Sequence, residues 1–119
     1  MTVIRYDRFP VTFTGGDPLY QAKALVPLAR EIRKFFGMHP EYLHGGDAIW
    51  LYTGFRYEDV RNAEPYKELL DLVDVVVDGP FMEDLKPVGP ALRFRGSSNQ
   101  RFIRCSTGED ITAQYDFKL

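Results

Sequence analysis

Cysteine is almost absent: Cys105 is the only one in 119 residues. That excludes an internal disulfide, and it excludes any cluster or zinc site built from several thiolates of this chain alone. No apolar run approaches the roughly 20 residues that a membrane-spanning helix needs, and the opening MTVIRYDRFP lacks the apolar centre of a signal peptide. Charge of neither sign prevails. Fifteen Lys and Arg face seventeen Asp and Glu, interspersed rather than gathered, for a net charge of −2. Nothing in that balance favours nucleic acid or an anionic membrane as partner. Repeats, linkers and low-complexity tracts are also missing. What is present, 45% hydrophobic and 27% charged residues, is the composition of one globular domain over residues 1–119, most simply cytoplasmic.

The chain is organised around VTFTGGDP, residues 11–18. Val11, Thr12 and Phe13 suit a strand, and Gly15 with Gly16 break it. Asp17 then stands where an N-cap belongs and Pro18 where a first helical residue belongs, since its missing N–H would find no partner there anyway. A strand, a glycine turn and a capped helix bring bare backbone to the C-terminal edge of a sheet, where α/β folds bind ligands. The same turn serves equally as a plain connection.

Along the rest of the chain, residues 1–9 suit either a short strand or the end of a helix. Residues 18–36 place Leu25, Leu28, Ile32, Phe35 and Phe36 near helical spacing, with Pro27 expected to kink or divide the helix and Gly37 to stop it. AIWLYT (48–53) and VDVVV (73–77) are continuous apolar runs of strand length, the pattern of parallel strands covered on both faces. Between them, residues 57–62 and 65–72 read as two short helices, with Leu69, Leu70 and Leu72 inward. A helical turn at 81–86, an edge strand at 92–94 and an extended or helical run at 100–104 follow. Strand and helix alternating in this way predict a βαβ arrangement. His39, Glu41 and His44 have metal-like spacing, but Pro40 and the adjoining glycines favour a solvated loop. Glu58, Asp59, Glu64, Glu68 and Asp71 read as an exposed helix face.

Four blocks in order, VTFTGGDPLYQ, IWLYTGF, YKELLDLVDVVVDGPF and FRGSSNQRFI, resemble the activating proteins of anaerobic ribonucleoside-triphosphate reductases, a branch of the radical S-adenosylmethionine enzymes. The resemblance runs from about residue 10 to residue 103. It implies an α/β fold, a partial (β/α) barrel with mainly parallel strands, truncated at its N-terminal side relative to the radical S-adenosylmethionine fold. It also implies a 4Fe-4S cluster that reductively cleaves S-adenosylmethionine, and a deoxyadenosyl radical that takes hydrogen from a glycine of the large reductase subunit. By resemblance, Gly15, Gly16 and Asp17 form the turn that holds the amino group of the methionine moiety. That suits the chemistry, because an ammonium seeks carbonyls and a carboxylate, and glycines let backbone approach. Tyr52 and Thr53 end their strand on the edge where the cofactor should lie, although a core tyrosine and a turn threonine explain them as well. Asp78 and Gly79 end the next strand in the same way, and Asp78 could equally cap a turn. Arg95, Gly96, Ser97, Ser98, Asn99, Gln100 and Arg101 are dense in donors and acceptors and are expected to meet the cofactor or the partner's glycine loop.

One departure stands beside these matches. The family hangs its cluster on a CxxxCxxC loop ahead of the GGDP block, and no cysteine stands before Val11. Cys105 cannot replace three thiolates. No catalytic residue and no metal ligand is therefore assigned. Met1 is expected to fall inside the family's pattern, with MTVIRYDRF as the tail of the helix after that loop. The edge beside VTFT is then expected to be uncovered, and to be met by a second copy, another polypeptide or the chain's own ends, with residues 111–119 the candidate cover. Three functions follow: an activase completed by a cluster-bearing segment from elsewhere, a non-catalytic module that binds S-adenosylmethionine or the reductase, or an idle remnant.

Overall fold

The computed structural model describes residues 2–4, 11–43, 47–80, 82 and 99–114. Strands β1 (Thr2–Ile4), β2 (Val11–Thr14), β3 (Ile49–Tyr52), β4 (Val75–Asp78), β5 (Arg101–Arg104) and β6 (Glu109–Asp110) form one sheet in that spatial order. Helix α1 (Ala22–Met38) joins β2 to β3, and α2 (Tyr57–Val60) with α3 (Tyr66–Leu70) join β3 to β4. The class is α/β, as expected.

The two apolar runs and the VTFT stretch become the centre of the sheet. β2 and β3 are parallel with Phe13 opposite Leu51, and β3 and β4 are parallel with Leu51 opposite Val76. Alternate residues leave the strands on opposite faces. Phe13, Ile49, Leu51 and Val76 join Leu25, Ala29, Phe36 and Leu69 in the cluster under the helices. Trp50, Val75 and Val77 turn the other way and meet Phe102 and Ile111. Each fully buried large apolar side chain contributes about 1.5–3 kcal/mol, so coverage of both faces accounts for the lack of polar alternation in these runs.

Three expectations are corrected. The strands are not mainly parallel: β1 with β2, β4 with β5 and β5 with β6 all pair antiparallel. A parallel crossover takes a dozen or more residues, usually with a helix. Only six residues separate β1 from β2, and four separate β5 from β6, so these neighbours must reverse direction. Next, of the two readings of the opening residues, the strand and not the helix tail holds where they are described: Thr2–Ile4 is a strand whose Val3 lies opposite Phe13. It covers the β2 edge, whereas Ile111 docks beside β5 through its N–H to the Phe102 carbonyl at 2.7 Å, far from β2 in the strand order.

The third correction concerns α1. Pro27 does not divide it, and it ends at Met38, one residue past the expected stop at Gly37; a break comes instead at its start, where a 3-10 turn (Pro18–Gln21) hands over to α1. Pro27 removes one backbone hydrogen bond, but Pro27 and Lys23, the residue whose carbonyl loses that partner, are both exposed. Water can replace the bond there. The buried face is Ala22, Leu25, Val26, Ala29 and Phe36, while Leu28 and Phe35 point outward. Leu69 and Leu70 are buried and Leu72 packs against them, as read. The expected helical turn at 81–86, the strand at 92–94, His44 and residues 115–119 lie outside the described residues, except Met82.

Candidate functional site

The C-terminal ends of β2, β3 and β4 are stitched side by side into a rim. β2 exits through Gly15, whose φ of 93° is a conformation glycine adopts without strain. Asp17 follows as the N-cap of the 3-10 turn, its Oδ1 accepting from the Leu19 N–H at 3.1 Å, with Pro18 in the first helical position as read. The same carboxylate reaches the turn after β3. It accepts from the Thr53 hydroxyl, 2.9 Å from each carboxylate oxygen, and Oδ2 accepts from the Gly54 N–H at 2.8 Å. Asp17 is thus held by three uncharged donors, and no cation pairs with it among the described residues. Gly15 and Gly16 beside it are exposed.

The turn after β3 is bound in turn to β4. The Thr53 N–H donates to the Val77 carbonyl and the Gly79 N–H to the Phe55 carbonyl, both at 3.0 Å. Asp78 closes β4 with no exposed surface. Its Oδ2 accepts from the N–H of Tyr57, the first residue of α2, at 2.7 Å. Both its oxygens take the Arg101 guanidinium, Nε at 3.0 Å to Oδ1 and Nη2 to Oδ2. Arg101 also grips Glu58 with two bonds of 2.8 Å. Hydrogen bonds from Arg101 hold the Glu58 carboxyl down at about 2, and the Glu58 and Asp78 carboxylates raise Arg101 above its usual range. Asn99 Nδ2 donates to the Pro80 carbonyl at 2.8 Å and Gln100 Nε2 to the Gly79 carbonyl at 3.0 Å.

Asp17 and Thr53 are therefore brought into contact, and Asn99 meets the Pro80 carbonyl just past Asp78 at the exit of β4. Tyr52, half-buried, ends β3 and packs against the Trp50 side of the sheet. Arg95, Gly96, Ser97 and Ser98 lie outside the described residues. The described part of the donor-rich block spends Asn99, Gln100 and Arg101 on pinning β5 to β4. Sequence reasoning missed Glu58, read as a solvated helix residue, because its partner Arg101 lies 43 positions away. A half-open aromatic row, Tyr20 on Phe55 at 5.5 Å and Phe55 near Tyr66 at 5.8 Å, flanks the rim and was also missed. An apolar groove of about 290 Å³ lies elsewhere, lined by Val11, Glu31, Ile32, Phe35 and Phe36 at the opposite end of β2.

Cys105 has none of the character of a cluster ligand. Burial, then the nearby Asp74 carboxylate, pushes its thiol up to about 12, which keeps it protonated at neutral pH, whereas a ligand must be a thiolate. Among the described residues no three His, Cys, Asp or Glu are grouped to hold a metal, and His39 pairs with Glu41 at 3.3 Å on the surface, its ring beside those of Phe35 and Tyr42. The residues of this chain do not fit a 4Fe-4S cluster.

A mixed α/β sheet with a glycine-and-carboxylate rim at the ends of its parallel strands defines the class of domain. The model of the 4Fe-4S single cluster domain matches residues 3–103, and the chain belongs to that family. Relatives named anaerobic ribonucleoside-triphosphate reductase-activating protein occur in Salmonella typhimurium and Salmonella typhi, each 38% identical over 96 residues, 81% of this chain and 56% of the relative. That of Escherichia coli is 35% identical over 98 residues, with the same shares. The chain thus spans about half the length of the curated relatives it matches. No solved structure matches it significantly. No described helix is long and apolar enough to cross a membrane.

Proposed function

We propose that this chain is the S-adenosylmethionine-binding part of a reductase-activating protein, with the large subunit of an anaerobic ribonucleotide reductase as its partner. The observation that carries the reading is Asp17: a half-buried carboxylate oriented by three neutral donors, with no paired cation among the described residues, beside two exposed glycines at the ends of parallel strands. An ionised carboxylate has about four acceptor positions, and three donors leave room for the ammonium of the methionine moiety. Gly15 and Gly16 supply backbone that the ligand can approach. By resemblance to the family, Tyr52, Ser97, Ser98 and Asn99 complete the cofactor region, while Thr53 and Asp78, both buried, support it through their hydrogen bonds. The sheet is read as a segment of a partial (β/α) barrel of the radical S-adenosylmethionine type.

Binding, and not radical generation, is assigned to this chain. Its residues do not fit the cluster of its family, so no chemical step is placed on it, and activation of a reductase requires cluster ligands from another polypeptide segment. Isothermal titration with S-adenosylmethionine tests the reading. Binding by the wild-type chain, lost on Gly16→Leu in a protein that remains folded, is the expected result. Absence of heat with the wild-type chain would dispose of the proposal.

A further inference from the structure

We infer that Thr53 is a positioning residue for this site, one that acts on the ligand's ammonium through Asp17 without touching the ligand; the inference rests on the S-adenosylmethionine reading. Thr53 is 4% exposed, so it presents almost no surface to a ligand. Its hydroxyl oxygen accepts from the Phe55 N–H at 3.1 Å, and that bond turns the hydroxyl proton toward Asp17, where it is shared between the two oxygens at 2.9 Å each. Its own N–H is fixed on the Val77 carbonyl of the neighbouring strand. The hydroxyl that orients the carboxylate is thereby fixed by the turn after β3, and the Thr53 N–H ties that turn to β4.

The consequence is directional. The Leu19 N–H alone would leave Asp17 free to swing about its side-chain bonds as an ordinary N-cap does. Thr53 and Gly54 add a second and third point of attachment from a different strand, 36 and 37 positions away, and so set the plane of the carboxylate. A group that receives an ammonium in a fixed direction needs that preorganisation, because ordering it at the moment of binding would cost affinity. A threonine needed only for the turn has no such selectivity for the ammonium.

The test compares two ligands on the whole chain: S-adenosylmethionine, and the analogue in which hydrogen replaces the α-amino group. Thr53→Val keeps the branched shape and removes the hydroxyl. It is expected to weaken S-adenosylmethionine about tenfold or more, as loss of a hydrogen bond to a charged group does, and to leave the deaminated analogue unchanged. Thr53→Ser, which keeps the hydroxyl, is expected to bind both ligands as the wild type does. Equal weakening of both ligands by Thr53→Val, no weakening of either, or selective loss of S-adenosylmethionine in Thr53→Ser would overturn the role of Thr53. Should Thr53→Val not fold, Thr53→Ala, which also removes the hydroxyl, is measured against the same two ligands, with the same selective loss of S-adenosylmethionine expected and equal or no weakening overturning the role. A wild-type chain that binds neither ligand removes the underlying reading and this inference with it, whereas binding by the wild type with an unaltered Thr53→Val removes the inference alone.

Discussion

Asp78 and Glu58 share one arginine and differ in worth. Asp78 has 1% of its side chain exposed and Glu58 has 53%, with Arg101 between them at 25%. Truncating one partner of a buried ion pair strands the other, so Asp78→Ala is expected to cost about 3–5 kcal/mol in urea denaturation, against about 0–1 kcal/mol for Glu58→Gln at the same pH. The Glu58 carboxyl is lowered in the folded state from 4.5 to about 2. Its contribution is therefore present above the unfolded value and lost as pH falls through the folded one, and the wild type should lose its small advantage over Glu58→Gln between about 4.5 and about 2. A constant difference across that window would mean that the pair is not formed. Cys105, its thiol pushed up to about 12, should resist iodoacetamide in the folded protein and label only on unfolding. Its isolation was plain from the sequence. The pairing of Arg101 with Glu58 was not, because charges on separate elements carry no periodic signal.

Helix α1 shows how much of an element its pattern reveals. Helical spacing placed Leu25 and Phe36 correctly on the buried side, yet it also recruited Leu28 and Phe35, which are 41% and 45% exposed. Small residues made the difference: Ala22 and Ala29, at 1% and 0% exposure, let the helix lie close to the sheet and shift the contact line toward themselves. An alanine counts weakly in a search for apolar stripes although it packs well. Phe36→Ala should accordingly destabilise by about 3–5 kcal/mol, and Phe35→Ala by less than about 1 kcal/mol. Similar costs for the two would return the stripe to its sequence-based position. The VTFT turn, by contrast, was legible down to its cap, since Gly-Gly-Asp-Pro combines chain reversal, a capping carboxylate and a pre-set φ within four residues.

At the scale of the whole molecule, β1 decides whether the sheet ends safely. Its antiparallel pairing with β2 satisfies the edge that would otherwise offer unpaired N–H and C=O groups to another chain. Deleting residues 1–10 is expected to produce concentration-dependent self-association in sedimentation velocity, relative to the full chain at equal concentration. Unchanged sedimentation would mean that β1 does not guard that edge. The sequence by itself determined the α/β class, the three central strands, the glycine turn with its capped exit and the shortage of thiolates, because each rests on local periodicity, backbone preference or simple counting. Only the tertiary structure decided the antiparallel flanks, the covering of β2 by the chain's own N-terminal strand, and the two clasps, Asp17 with Thr53 and Asp78 with Arg101. These join residues 36 and 23 positions apart. Such contacts follow from which strands the sheet sets side by side, and no local stretch of sequence carries that information.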